Sequence, residues 1–287
     1  MRRIRAATVL THTRPDDTDV AVKTLIELAR EAGVTLRFDA DETAKHELPD
    51  EPGVVRNADP DPRVDLCFAL GGDGTILSAL RLYAGTHVPV FAINFGEMGF
   101  LATVDREEAW AGTLRALAGD FEVLSLPGIA LTTSHHTAVA FNDVSIHRQQ
   151  GLRVADLEYL VADDEVGRVR CDGLVISTPA GSTGYNLANG GPVMAWGVHG
   201  YVVSFIAPHS LTARTLVVAP GDRVAVVNRS RAEPVDVIVD GRPVCELPAG
   251  ARVETRFLMD QGALAQVPGT NFYQRLRQKF GRLATPL

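Results

Sequence analysis

Residues 66–77 read LCFALGGDGTIL, and the passage from an apolar run through glycines into a second apolar run decides the fold. The run 64–70, interrupted only by Asp65, has the composition of a strand covered on both faces in a parallel sheet. Residues 76–84 continue as a helix. Between them Gly71, Gly72 and Gly74 surround Asp73. Glycine costs conformational entropy in an ordered segment and is accepted where the chain turns sharply or something approaches closely. A glycine-rich turn leading from a strand into a helix presents backbone N–H groups that can hold an anion. The stretch is neither a GxxxxGK[ST] loop nor GxGxxG. A carboxylate beside bound phosphates needs a reason. Asp73 can hold a magnesium ion, take the proton of an attacking hydroxyl, or merely cap the helix.

Upstream, 4–11 is apolar and β-rich. Residues 19–32 carry Val20, Val22, Leu25, Ile26, Leu28 and Ala29 near helical spacing, with Gly33 placed to end the helix. A short strand over 34–38 follows. Residues 39–63 are acidic and proline-rich and read as a loop with little regular structure. Downstream come a strand over 88–94 and a helix over 107–118. Strand–helix alternation argues for an open α/β sheet, whose ligands lie beyond the carboxyl ends of its strands. Past Phe121 the texture changes to strand-like segments at 129–133, 137–148, 153–161, 166–171, 174–177, 201–206, 215–218, 223–228, 235–239, 244–247 and 252–258. Turn signals such as Asp163-Asp164 and Asp240-Gly241 separate them. This is a mostly antiparallel β domain, with a boundary near 121–127.

Composition narrows the partners. A net charge of −7 argues against nucleic acid. No apolar run reaches the roughly 18 residues of a membrane span, and the basic N-terminus reads as the edge of a first strand, so a cytoplasmic protein is expected. Cys67, Cys171 and Cys245 read as separate reduced thiols. The eight histidines show no compact metal spacing. Trp110 and Trp196 read as packing residues. Residues 39–65 hold nine acids against three bases, while 271–287 hold Arg275, Arg277, Lys279 and Arg282 and no acid. That basic stretch reads as a solvated, helix-stabilising face, with phosphate binding the alternative.

Two further constellations carry chemistry. CDGLVISTPAGSTGYNLANGGPV, 171–193, interleaves glycines with Ser177, Thr178, Ser182, Thr183, Tyr185 and Asn186. Hydroxyls, an amide, bare backbone and an aromatic face suit ribose, adenine and diphosphate, or else form an irregular loop. In FNDVSIHR, 141–148, Asn142 and Asp143 lie within an apolar strand-like run. Buried polar groups need partners, from neighbours or from a ligand.

In order, these motifs resemble the NAD kinase family. GGDGT at 71–75 alone is shared with lipid kinases and, more loosely, phosphofructokinases. NFGEMGFL at 94–101 is similar to the family's Asn-x-Gly-x-x-Gly-Phe-Leu segment, FNDVSIHR stands at its Asn-Glu motif, DGLVISTPAGSTGYNLANGGP at 172–192 is close to its long signature, and FYQRLRQKF at 272–280 is like its C-terminal helix. The resemblance implies an α/β plus β protein. An N-terminal open α/β domain, Rossmann-like or phosphofructokinase-like, spans 1–123, and a β-sandwich-like NAD-binding domain spans 124–262. A C-terminal helix within 263–287 returns to the first domain. It also implies phosphorylation of the adenosine ribose 2′-hydroxyl of NAD⁺ by ATP or polyphosphate with a divalent metal, Mg²⁺, in a homodimer or homotetramer.

The resemblance assigns roles by position. Asp73 accepts or orients the hydroxyl proton, while Gly71, Gly72, Gly74 and Thr75 hold phosphates. Phe100 lines an adenosine pocket, Asn142 reads the adenine edge and Asp143 the ribose. Arg153, Arg170 and Asp172 lie around the dinucleotide, and Thr183, Gly184, Tyr185, Asn186, Leu187 and Ala188 wrap it, from a neighbouring subunit. Four positions depart from the family pattern: Asp143 stands for glutamate, Ala180 for a hydroxyl residue, Gly184 for alanine, and Arg242 for the glutamine many bacterial members carry. Two rival readings follow from subsets of these features. A lipid or sugar kinase rests on GGDGT alone, and a non-catalytic dinucleotide sensor rests on the departures.

Overall fold

The computed structural model of the protein describes residues 3–96 and 99–281. Glu97 and Met98 of the 94–101 segment, Arg282 and the rest of the C-terminal stretch lie outside the described residues. The chain divides into two compact units, one comprising 1–125 with 261–287 and the other 126–260.

The first unit begins with strand β1 (Ala6–Thr11), helix α1 (Asp19–Ala32), β2 (Thr35–Arg37), α2 (Ala40–Lys45), β3 (Val54–Val55), β4 (Leu66–Gly71), α3 (Asp73–Leu82), β5 (Pro89–Asn94), β6 (Val104–Asp105) and α4 (Ala109–Leu117). The chain continues through β7 (Glu122–Thr132), β8 (Thr137–Ala140), β9 (Asp143–Arg148), β10 (Ala155–Val161), β11 (Asp164–Cys171), β12 (Gly173–Ser177), α5 (Tyr185–Ala188), β13 (Tyr201–Ile206), β14 (Leu216–Val218), β15 (Val224–Asn228), β16 (Val235–Val239) and β17 (Arg242–Leu247). Strand β18 (Arg252–Gln266) leads back to the first unit, which ends with α6 (Phe272–Phe280).

In the first unit the strands run in the order β18-β5-β4-β1-β2-β3. The pairings are parallel, with Val9 opposite Phe68, Phe68 opposite Phe91 and Leu264 opposite Val90. All six residues of β4 and all six of β5 are buried, as a sheet covered on both faces requires. Helix α1 buries Val22, Leu25, Ile26 and Ala29 and ends at Gly33, whose φ of 69° is the left-handed conformation glycine adopts without strain. The chain leaves β1 toward β2 on one side and later returns to place β4 on the other. The carboxyl ends of β1 and β4 therefore flank a topological switch point, where ligands of open α/β sheets bind.

The stretch 39–63 departs from expectation. It holds α2, because the Asp39 carboxylate caps the helix by accepting from the Glu42 N–H at 2.7 Å. Glu42 turns inward and accepts from the Thr11 N–H at 2.9 Å and from the Thr11 hydroxyl, while Lys45 pairs with it at 2.8 Å. Burial works against the Glu42 charge, but hydrogen bonds from His46, Lys45 and Thr11 hold its carboxyl below the usual range.

The second unit has two sheets. One contains β11-β10-β15 followed by the start of β18, and the other runs β14-β13-β12-β9-β16-β17. Their inner faces share a core that joins Leu157, Val169, Val226 and Val253 of the first to Ile146, Ile176, Val203 and Val237 of the second. The expected strand over 137–148 is broken at Phe141 and Asn142. There the backbone N–H groups of Phe141, Asn142 and Asp143 all turn to the Asp240 carboxylate, at 3.1, 2.7 and 3.2 Å. Trp110, expected to pack, is 61% exposed, whereas Trp196 is buried.

Candidate functional site

In the first unit, β4 delivers the chain to Gly72, which precedes α3, so that Asp73 is the first helical residue. The first N–H groups of α3 have no acceptor inside the helix. The Asp73 carboxylate accepts from the Phe100 N–H at 3.3 Å and lies 3.4 Å from the Leu101 N–H. Burial raises its pKa. The two amides and the charges of Lys279 and Arg275 oppose that rise without cancelling it.

The glycines divide by cause. A Cβ on Gly71 would lie 2.3 Å from Thr75 Oγ1, so Gly71 serves packing within the turn. A Cβ on Gly99 would lie 3.0 Å from Asp73 Oδ1. Gly74 is exposed and a Cβ there would meet nothing within 4 Å. The fold gives no steric reason for Gly74, which leaves room for something outside the chain to approach α3.

The segment that holds Asp73 is itself held by α6. Arg275 is 8% exposed and donates to the carbonyls of Phe100, at 3.1 Å, and Ala102. Lys279 lies 3.5 Å from Asp105. The reading of this helix as a solvated basic face is therefore wrong for Arg275. Phe272, Leu276 and Phe280 recur every four residues and Arg275 falls on their stripe, the signal that could have revealed its burial. Phe100 packs against Phe272 and Phe280, with ring centroids 6.0 and 5.6 Å away.

In the second unit, the break at Phe141–Asn142 is fastened to the glycine-rich segment. Thr178 N–H and Ser177 Oγ donate to the Asn142 carbonyl at 2.9 and 3.2 Å, and Thr178 Oγ1 donates to the Phe141 carbonyl at 2.6 Å. A Cβ on Gly181 would sit 2.1 Å from the Asn142 carbonyl oxygen, so only glycine permits this contact. Asn142 Oδ1 is buried and has no hydrogen-bond partner among the described residues. Asp143 is 7% exposed, and burial together with the neighbouring Asp240 charge pushes its pKa up to about 7. Tyr185 stacks on His147 at 5.5 Å, and its hydroxyl pKa is raised by burial and then by the charges of Asp143 and Asp172. Asn186 is fully buried and donates to the Ser182 and Pro192 carbonyls, both at 3.0 Å, so its amide ties the loop that carries Thr183, Gly184, Leu187 and Ala188.

The structure thus brings Asn142, Asp143, Tyr185 and Asp172 into one neighbourhood, with Asp172 paired to Arg148 at 2.5 Å. Arg153 and Arg170 line a pocket beside β10 and β11. Arg242 is exposed at the start of β17, beside the Asp240–Gly241 turn. Sequence reasoning treated Asp240 only as a turn former and missed that its carboxylate organises Asn142 and Asp143. Three amides gathered by one aspartate cannot be inferred from a local pattern. No group of three His, Cys, Asp or Glu side chains suited to a metal ion occurs among the described residues.

The glycine-lined acid of the first unit stands at the carboxyl end of a parallel strand, where open α/β sheets bind their ligands. Residues 3–121 match the ATP-NAD kinase N-terminal domain and residues 141–257 the ATP-NAD kinase C-terminal domain. The chain is 32% identical over 268 residues to an NAD kinase of Gemmatimonas aurantiaca, covering 91% of this chain and 90% of that one. The chain belongs to the NAD kinase family, the phosphotransferases that phosphorylate NAD⁺. Its fold is also that of a yeast NADH kinase crystallised with NADH, with a TM-score of 0.86 at 21% identity over 100% of this chain and 90% of that one. An NAD kinase from Archaeoglobus fulgidus in complex with ATP gives a TM-score of 0.73 at 24% identity over 97% and 98% of the two chains.

Proposed function

We propose that the protein transfers the terminal phosphoryl group of ATP to the 2′-hydroxyl of the adenosine ribose of NAD⁺, with Asp73 as the proton acceptor. The observation that carries this reading is a half-buried carboxylate at the start of α3, held by the Phe100 amide and with a raised pKa, beside a glycine that the fold does not need. The ribose oxygen attacks phosphorus, the bond to the ADP oxygen breaks with its electron pair leaving on ADP, and the hydroxyl proton passes to Asp73. With a loose transition state the proton leaves late, so the orientation of the carboxylate matters more than its basicity. The Phe100 and Leu101 amides fix that orientation, and Arg275 fixes the amides by holding the Phe100 and Ala102 carbonyls. Gly72, Gly74 and Thr75, on the packing that Gly71 permits, receive phosphate oxygens. Magnesium arriving with the donor phosphates would supply charge neutralisation there, a mode of binding that needs few protein ligands.

In the second unit Asn142 reads the adenine edge. Its buried, unpartnered Oδ1 is an acceptor that an exocyclic amine satisfies. Asp143 takes ribose hydroxyls, and Tyr185 offers a ring face, with Thr183, Gly184, Leu187 and Ala188 around it and Asn186 holding the loop closed. Phe100, the adenosine contact that the family resemblance implies, has its ring packed against Phe272 and Phe280. Asp172, Arg153, Arg170 and Arg242 supply the remaining contacts around the dinucleotide that the family resemblance implies. The working form is a cytoplasmic homodimer or homotetramer, which size-exclusion chromatography with light scattering distinguishes.

Incubating the purified protein with NAD⁺, magnesium and ATP, and reading NADP⁺ with an NADP-specific dehydrogenase, tests the reading. The expected result is NADP⁺ formation dependent on a triphosphate donor. Binding of NAD⁺ without NADP⁺ from ATP or inorganic polyphosphate identifies a sensor instead, and phosphorylation of a lipid alcohol in place of NAD⁺ identifies the lipid kinase class.

A further inference from the structure

The carboxyl end of β1 carries a cluster of ionisable groups that the chemistry at Asp73 does not use. His46 closes it. This residue stands at the end of α2, and its side chain is only 2% exposed. Its Nδ1 meets the Asp19 carboxylate in the first turn of α1. Its Nε2 lies 2.8 Å from the Oγ1 of Thr11, the last residue of β1. One ring thus joins α1, β1 and α2.

Counting protons fixes the state of that ring. Thr11 has a single hydroxyl proton, which goes to the Glu42 carboxylate at 2.6 Å. The oxygen keeps two lone pairs for donors, and Lys45 Nζ takes one of them at 3.1 Å. His46 Nε2 donates to the other. An ionised carboxylate only accepts, so Nδ1 donates to Asp19 as well. A histidine with two donors is an imidazolium. Burial opposes the charge, but the hydrogen bonds and charges of Glu42 and Asp19 outweigh it and raise the pKa of His46 above the ordinary histidine value. The remaining charges do not reverse that balance. On the α1 side Lys23 and Glu27 share with His46 the walls of a cavity of about 440 Å³, where Arg30 is already paired with Glu51. Glu47, next in the chain, lines the same cavity. Beyond β1, His12 lies 3.8 Å from Asp17.

The cluster reaches the glycine turn through the backbone. Glu42 accepts from the Thr11 N–H at 2.9 Å, and the next amide, of His12, donates to the Leu70 carbonyl at 2.8 Å. Leu70 immediately precedes Gly71. The end of β1 is therefore fastened to the cluster on one side and to the entry of the turn on the other.

We propose that His46, as an imidazolium, is a positioning residue for the turn 71–74: by joining Asp19 to Thr11 it holds the carboxyl end of β1, and through it the turn that receives the donor phosphates. Loss of the proton leaves one donor for two acceptors, so either Asp19 or Thr11 is released. This inference rests on the reading of that turn as the donor-phosphate site, and it does not require Asp73 to accept a proton.

Two measurements on the full chain over one pH series test it. Long-range ¹H–¹⁵N spectra follow the ring of His46, assigned as the signal that Asp19→Asn displaces and His46→Gln lacks. Calorimetry with magnesium-ATP, without NAD⁺, follows donor affinity. The expected ring is protonated on both nitrogens at pH 7. ATP affinity should fall about threefold to tenfold as that ring loses its proton, on the scale of a hydrogen bond to a charged group, while the NAD⁺ Michaelis constant stays put. Asp19→Asn keeps the size and removes the charge, and should move the fall to lower pH. His46→Gln should bind ATP weakly throughout, without the step, and if it does not fold Asp19→Asn decides alone. A merely structural histidine predicts lower melting temperatures in both variants and no step in ATP affinity. A neutral ring at pH 7, or the same pH dependence of ATP affinity in the parent and Asp19→Asn, overturns the proposal and leaves the kinase reading standing. Absence of ATP binding in the parent removes the role of the turn and the role of His46 with it.

Discussion

Asp73 and Asp143 are both acids drawn out of water, and both have raised pKa values, but their surroundings have opposite sign. Asp73 meets two backbone amides and lies in the field of Lys279 and Arg275. Asp143 meets a second carboxylate, Asp240, which is itself occupied by three amides of the 141–143 turn. The first environment tolerates negative charge and aims it, as a proton acceptor requires. The second resists charge, as suits a group that hydrogen-bonds sugar hydroxyls and can keep its own proton near neutrality. Burial alone would have made the two acids alike. What surrounds the burial is the ground for proposing different work for each.

Variants that neutralise each acid probe this contrast most strongly. Asp73→Asn should lower turnover by about 10²–10⁴, the usual size of a general-base contribution, with the NAD⁺ Michaelis constant within a few-fold of the parent. Asp143→Asn should move the Michaelis constant and spare turnover. An equal loss of turnover in both variants removes the distinction.

The next effect is on stability. Folded protein keeps a proton on Asp143 between pH 3.8 and about 7 that the unfolded chain has already released. Stability therefore falls as pH rises through that window, and the whole cost is present above pH 7. Asp143→Asn should be more stable than the parent at pH 8, by about 1–4 kcal/mol, since each tenfold difference in proton affinity between the folded and unfolded chain is worth about 1.4 kcal/mol. The gain should vanish near pH 4. Denaturant unfolding at both values measures it.

Arg275→Gln should reduce turnover by about tenfold, as the carbonyls it holds lose their charged donor. It should also move the acid limb of the rate profile to higher pH, because Asp73 loses a nearby positive charge. A purely structural role for Arg275 predicts lower melting temperature without that movement. The smallest effect belongs to Gly74→Ala, for which the fold has open space. Melting should be unchanged, and the donor Michaelis constant should rise by a few-fold, on the order of 1 kcal/mol. Gly181→Ala, whose Cβ would strike the Asn142 carbonyl, is the contrasting case and should lose NAD⁺ binding.

Much of the fold was legible because its signals are local. The apolar run of β4 and the spacing and terminal glycine of α1 needed no tertiary information. Helix α2 was hidden because its acids looked solvated, whereas Asp39 caps and Glu42 is buried with partners. Strand β18 was read only to 258 because MDQGALAQ lacks an apolar alternation, yet the strand continues to Gln266 beside β5. The residues of GGDGT and 171–193 announced themselves by composition. Asp240 and Arg275 did not, since each acts through backbone groups that are distant in sequence.

The claim that Asp73 takes the proton is tested most directly by the pH dependence of the single-turnover rate for NADP⁺ formation, measured for the parent and for Asp73→Asn. The account predicts a parent acid limb above the ordinary carboxylate range and its disappearance in the variant, whose slow rate no longer titrates there. The same limb in both proteins would contradict it and hand the proton to another group.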